Sequence, residues 1–215
     1  MRIILLFCLF FFSSAIQAQV NDPVAKSILD AVSKKYNPIK SYTTDFILHV
    51  ENQDAGIKES QAGRVWVKGD KYRLQSEEIE RMTDGSTIWT HFVEDEEVHV
   101  SEPDPEDEEL TPARIFDIYK TGFIFQYVGE VEKDGRLCNV VDLTPTDKEK
   151  SYYRIRLMID KNNSSIYEAQ ASSKNGTKFT YEISNFDSKS PAKSDAYFVF
   201  NREDYDGDLD IIDLR

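Results

Sequence analysis

The sequence is short of the residues that most enzyme chemistry needs. It has two cysteines and three histidines among 215 residues. Cys8 lies in the apolar run near the start, which leaves Cys138 without a partner for an intramolecular disulfide. Stability must then come from a packed core. Cys138 stands in the strand-like run Leu137-Cys138-Asn139-Val140-Val141, where a buried, inert thiol is expected. His49, His91 and His99 fit no metal-ligand spacing. With Asp95-Glu96 as a turn, His99 lies opposite Phe92 and His91 points to the other face, so the two cannot share an ion. A Gly-x-Ser-x-Gly elbow, a Gly-rich phosphate loop and a Cys-x-x-Cys pair are all missing. Positive charge is scarce as well: 26 Lys and Arg stand against 39 Asp and Glu, a net −13. A chain of that charge repels nucleic acid and gains nothing from an anionic membrane surface.

Long apolar runs are almost absent too. The one that exists, Ile3 to Phe12, comes after Arg2 and ends at Ser13-Ser14-Ala15. It is too short for a membrane-spanning helix, which needs roughly 20 residues. A charged start, a short apolar stretch and Ile16-Gln17-Ala18 before Gln19 form the secretory pattern. The expectation is a signal peptide over residues 1–18. Residues 19–215 then form one exported domain with no permanent membrane insertion.

The exported part of the chain uses two periods. Asn21 or Asp22 can cap a helix that Pro23 opens; Val24, Ile28, Ala31, Val32 and Tyr36 give it an apolar stripe, and Asn37-Pro38 stops it. The period then becomes two. Tyr42, Phe46, Leu48 and Val50 share one strand face, and Asp45, His49 and Glu51 share the other. Gly69-Asp70, Asp84-Gly85, Asp134-Gly135 and Asn175-Gly176 separate successive β-like runs, as hairpin turns do. The count is about ten or eleven strands in an antiparallel meander. One segment interrupts it: an acidic stretch over 94–109, then Thr111-Pro112, which can open a second helix through Ile115, Phe116, Ile118 and Tyr119. The acidic tail Asp204–Asp210 has a calcium-loop look, but Gly207 is its fourth residue where an EF-hand has its sixth. No metal is expected.

The fold class is therefore mainly β (α+β): a long antiparallel sheet with one dry face to cover and only two helices to cover it. Such a sheet can close into a barrel or curl into an unclosed half-barrel with a helical lid, and either can leave a cavity. Tyr42, Phe46, Tyr72, Phe92, Phe125, Tyr127, Phe179 and Tyr181 fall on the inward side. They either fill a core or line an apolar pocket.

The order of features resembles the LolA family of periplasmic outer-membrane lipoprotein carriers. The residues that carry the likeness are Tyr42-Thr43-Thr44-Asp45-Phe46, Gly63-Arg64-Val65-Trp66-Val67-Lys68 and Asp84-Gly85-Ser86-Thr87-Ile88-Trp89. Thr111-Pro112 and Tyr197-Phe198-Val199-Phe200 add to it. The resemblance implies an unclosed antiparallel half-barrel with a small helical lid over an apolar cavity. It implies a cofactor-free, monomeric periplasmic protein that is not an enzyme. Such a protein would take acylated lipoproteins from an inner-membrane lipoprotein-releasing ABC complex and pass them to an outer-membrane acceptor. Residues expected to line the lipid cavity are Phe46, Leu48, Val65, Leu74, Trp89, Phe92, Ile115, Tyr119, Phe125 and Leu157. The family's lid latch uses an Arg after Trp-Val-Lys and a His on a late strand. Here Gly69 and Tyr167 take those places, with Arg64 and Arg73 nearby. The alternative is a lipid-binding envelope sensor on the same fold, without transport.

Overall fold

The computed structural model describes residues 21–103 and 118–215. Its frame is one twelve-stranded sheet. In chain order the strands are β1 (Ser41–Asn52), β2 (Ile57–Lys68), β3 (Lys71–Ser76), β4 (Ile79–Thr83), β5 (Ile88–Phe92) and β6 (Glu97–Ser101). They continue as β7 (Phe123–Lys133), β8 (Arg136–Pro145), β9 (Tyr152–Asp160), β10 (Ile166–Ser173), β11 (Lys178–Asp187) and β12 (Asp210–Asp213). Their spatial order is β12-β6-β5-β4-β3-β2-β1-β11-β10-β9-β8-β7. The ends β7 and β12 do not pair with each other, so the sheet is an unclosed half-barrel rather than a closed one.

Strand alternation sets two faces. On β1 the inner face carries Tyr42, Phe46, Leu48 and Val50, as the period-two reading expects. Register then extends that face strand by strand. One inner row runs Leu48, Tyr181, Ala169, Leu157, Val141 and Tyr127. A second runs Thr44, Val65, Leu74, Arg81, Thr90 and His99. The first row is apolar throughout; the second is apolar at Val65 and Leu74 and polar from Arg81 onward.

The described α-helix, α1 (Pro23–Tyr36), covers the first half of that face. Asp22 caps it, and Pro23 occupies the position where a missing N–H costs nothing. Ala25, Leu29, Val32 and Tyr36 recur at helical spacing and pack on Phe123, Phe125, Val141, Leu143, Ile155, Leu157 and Ile159. Fully burying each Leu or Ile of this kind contributes about 1.5–3 kcal/mol. This is the main core of the molecule.

The structure departs from the sequence reading in several places. Val24 and Ala31, expected on the apolar stripe of α1, are exposed, and Ala25 and Leu29 are buried in their stead, because the buried face is turned by one residue. The described residues form twelve strands, and β12 lies parallel to β6. It comes from the acidic tail, which has no hairpin signal to announce it. His99 lies opposite Thr90, and Phe92 opposite Glu97, because the turn spans 93–96. His91 still points to the other face, and Phe92 and His99 touch diagonally, with ring centroids 4.9 Å apart. Asp84-Gly85 begins a longer connection, since Thr83 pairs with Ile88. Of the second expected helix, residues 111–117 lie outside the described part; Ile118–Lys120 form a single 3-10 turn with Ile118 and Tyr119 buried.

The outer face also carries a core. The segment Asp195–Phe198 and its continuation to Tyr205 pack against β3, β4 and β5, and Phe198, Met82 and Val98 are almost fully buried. Glu80 on β4 is 6% exposed and bonds Arg73 Nε at 2.7 Å. It accepts the Tyr205 hydroxyl at 2.5 Å. His91 meets the Tyr205 ring edge-on, with centroids 5.0 Å apart.

Candidate functional site

The two halves of the inner face differ in how they are filled. Over β7–β10, α1 presses directly on the sheet. Leu157 is 1% exposed, Phe125 6% and Tyr119 7%. These three expected lining residues sit inside the α1 core. Over β1–β6 the described chain leaves more apolar surface uncovered. Phe46 and Val65 are buried, but Leu48, Leu74 and Phe92 are only half-buried. Ile79 and Ile88, also half-buried, share their face by register. Ile115 lies outside the described residues.

Trp89 does not join this set. It pairs with Met82 and Val100, both buried under the outer face. The reason is simple parity. Trp89 and Phe92 are three residues apart on one strand, and alternation cannot place both side chains inside.

Phe46 owes its place to a glycine across the strand pair. Gly63 is its direct partner on β2. A Cβ on Gly63 would collide with the Phe46 ring and would come within 2.7 Å of the Gln75 carbonyl oxygen. Glycine at this site lets the ring lie flat on the inner wall. The signal was visible as a lone Gly in a strand-like run, and its partner was not.

The latch positions are taken up by other tasks. Gly69 sits at φ +58° in the β2–β3 turn, a conformation that suits glycine and strains arginine. Tyr167 donates its hydroxyl to Asp134 and lies under Arg136, 5.3 Å from the ring centroid. The bond to Asp134 pushes its pKa up to about 12. Arg64 and Arg73 both point outward, to Asp45 and Glu80. Arg81, in contrast, stands on the inner face, in register between Leu74 and Thr90. Sequence reasoning missed it, because Ile79-Glu80-Arg81-Met82-Thr83 carries no clear alternation to assign its faces.

This geometry offers a curved apolar wall with a polar row along one side. It suits binding of an amphiphile more than covalent chemistry. Among the described residues no group of three or more His, Cys, Asp or Glu is arranged to hold a metal ion. Cys138 is buried on the outer side, and its thiol pKa is raised by burial and by Asp160. Among the described residues no helix is long and apolar enough to cross a membrane.

Comparison with known proteins places this architecture. The fold is similar to that of an uncharacterized conserved protein from Thermus thermophilus, at 13% identity and a TM-score of 0.54, over 88% of this chain and 99% of that one. It is similar to MucB at 18% identity and a TM-score of 0.50, over 85% of this chain and 64% of that one. A LolA superfamily protein from Nitrosomonas europaea matches at 17% identity and a TM-score of 0.43, over 82% of this chain and 97% of that one. Among curated proteins no sequence matches. Residues 37–201 match the family model described as outer membrane lipoprotein carrier protein LolA. That match spans most of the chain, from the first strand to the outer-face segment, and this protein belongs to the LolA family.

Proposed function

We propose that the protein is a periplasmic carrier that sequesters the acyl chains of lipoproteins on its inner face. In this reading it takes them from an inner-membrane ABC complex and delivers them to an outer-membrane acceptor. The observation that carries the reading is the unequal filling of the inner face. One half is a finished core, while Leu48, Leu74, Ile79, Ile88 and Phe92 form an apolar wall left half-buried. A protein with no use for that wall would gain stability by filling it. Each methylene moved from water onto such a surface contributes about 0.8 kcal/mol, so a long acyl chain supplies ample binding free energy without any cofactor. Release then needs a receptor that offers an equally dry site.

Family membership supports the reading, and so does the export pattern of residues 1–18. The mechanism is reversible burial, with no bond made or broken. The test is to purify the protein from its native envelope, examine it by native mass spectrometry, and titrate a fluorescent fatty acid. Copurifying acylated species and saturable uptake are expected. A ligand-free protein that takes up no fatty acid would overturn the proposal.

A further inference from the structure

A second concavity lies at one end of the sheet and reaches from the outer face to Tyr42 and Val67. It is a cleft of about 680 Å³ between the start of β1, the end of β2, the end of β11 and the connection 188–194. That volume falls within the range of small-molecule sites, about 300–1,000 Å³. Thr43, Arg64, Trp66, Asn185, Ser190 and Lys193 stand in its walls. Tyr42, Val67, Pro191, Ala192 and Phe198 line it as well, so polar and apolar groups share the walls.

The cleft is built by a backbone irregularity. Thr43 pairs with Asp187 and Asp45 with Ser184, so β11 carries one more residue than β1 across this step. Asn185 lies in that bulge at φ +50°, a conformation costly for a side-chain-bearing residue. Bulges re-aim side chains, often beside functional sites. Here the bulge turns Asn185 to the outer face, where its amide donates to Asp45 Oδ2 at 2.9 Å. Phe186 turns the other way and stacks on Tyr42. Asp45 also receives Arg64 through Nε and through Nη2, the latter at 3.0 Å. The result is a row of planar polar groups beside an indole.

The spare hydrogen-bonding atoms define the ligand. Among the described residues, Asn185 Oδ1 and Arg64 Nη1 have no hydrogen-bond partner. The pair offers an acceptor and a donor. Charges are already balanced. Arg64 is neutralised by Asp45, and Asp187 is occupied by the Ser190 hydroxyl and nearby backbone N–H groups. Lys193 lies over the Tyr197 ring, 4.8 Å from its centroid. An anion or cation gains little here. A neutral molecule whose hydroxyls both donate and accept matches every spare atom, and its C–H faces suit the negative face of an indole.

We propose that this cleft is a saccharide-binding site. Its lining is distinct from the acyl-binding wall, sharing none of Leu48, Leu74, Ile79, Ile88 and Phe92. The test titrates the full chain with maltose and with N,N′-diacetylchitobiose by calorimetry. Saturable binding of at least one is expected. Asn185→Gly keeps the backbone, since glycine adopts φ +50° freely, and removes only the amide. It should weaken binding roughly tenfold, as should Trp66→Ala, with fluorescent fatty-acid uptake unchanged. No saturable heat with either sugar would overturn the proposal. So would unchanged sugar affinity in Asn185→Gly, or a loss of fatty-acid uptake in its place.

Discussion

The carboxylate of Asp22 joins the start of α1 to the edge of the sheet by accepting the backbone N–H of Tyr127 at 3.1 Å through Oδ2. Its Oδ1 accepts the N–H groups of Val24 at 2.7 Å and Ala25 at 3.3 Å. One side chain thus caps a helix and occupies an edge strand that has no further neighbour. The bond from Tyr127 is the largest influence holding its pKa below the ordinary carboxylate value.

A pH dependence results. A depressed folded pKa means stability that is complete above the unfolded value, about 3.9, and lost as pH falls through the folded one. Asp22→Asn keeps an Oδ1 cap but places an amide against the Tyr127 N–H. Urea unfolding at neutral pH should show a lower midpoint for Asp22→Asn and a lower one still for Asp22→Ala. Below about pH 4 the gap between wild type and Asp22→Asn should narrow.

The two halves of the inner face should respond oppositely to truncation. Leu157→Ala opens a cavity under α1 and should cost about 2–5 kcal/mol of stability, with fatty-acid affinity largely kept. Leu74→Ala, on the half-buried wall, should cost less than Leu157→Ala and should weaken fatty-acid binding instead. Paired denaturation and fluorescence titrations of both variants check this.

Gly63 should resist substitution although it is neither in a turn nor at positive φ. Gly63→Ala must displace both the Phe46 ring and the β3 backbone at Gln75. Overpacking of this kind costs about 1–3 kcal/mol. Combining it with Phe46→Leu should recover part of the loss and not all, because the Gln75 carbonyl stays in place. Thermal melts of the single and double variants provide the readout.

On the outer face, Arg73 and Glu80 form an ion pair that Tyr205 completes. Glu80→Ala leaves a partly buried guanidinium without its main counter-charge and should destabilise by on the order of 3 kcal/mol. Tyr205→Phe removes one bond to that carboxylate and should cost about 1–3 kcal/mol. It should also loosen the segment after Phe198, which limited proteolysis would detect.

Much of this fold was legible because period two is a strong signal. The inward set on β1, the hairpin at Gly69-Asp70 and the I′-like turn at Asp134-Gly135 all arise from local chemistry. Three things were hidden. The parity error that set Trp89 beside Phe92 came from treating apolar character as direction. The filled half of the wall, with Leu157 and Phe125 under α1, depends on where a helix docks, which no local pattern states. The strand Asp210–Asp213 pairs with residues more than a hundred positions earlier and has an acid at each end. Arg81 was missed for the opposite reason: its neighbours Glu80 and Met82 mix polar and apolar character on the outer face, so the strand showed no dry side.

Segments distant in sequence lie along both margins of the sheet. Asn21 and Asp22 bond Phe125 and Tyr127 at one margin, and β12 lies along β6 at the other. Such pairings carry a high loop-closure entropy, as does the β1–β11 pairing, whose partners lie more than 120 positions apart. Until the margin contacts form, both rims are bare. Bare rims pair with other chains. The hazard for this protein lies in the interval before its seams are sewn, and a binder that holds either rim during that interval would raise the yield of folded chain without touching the finished molecule.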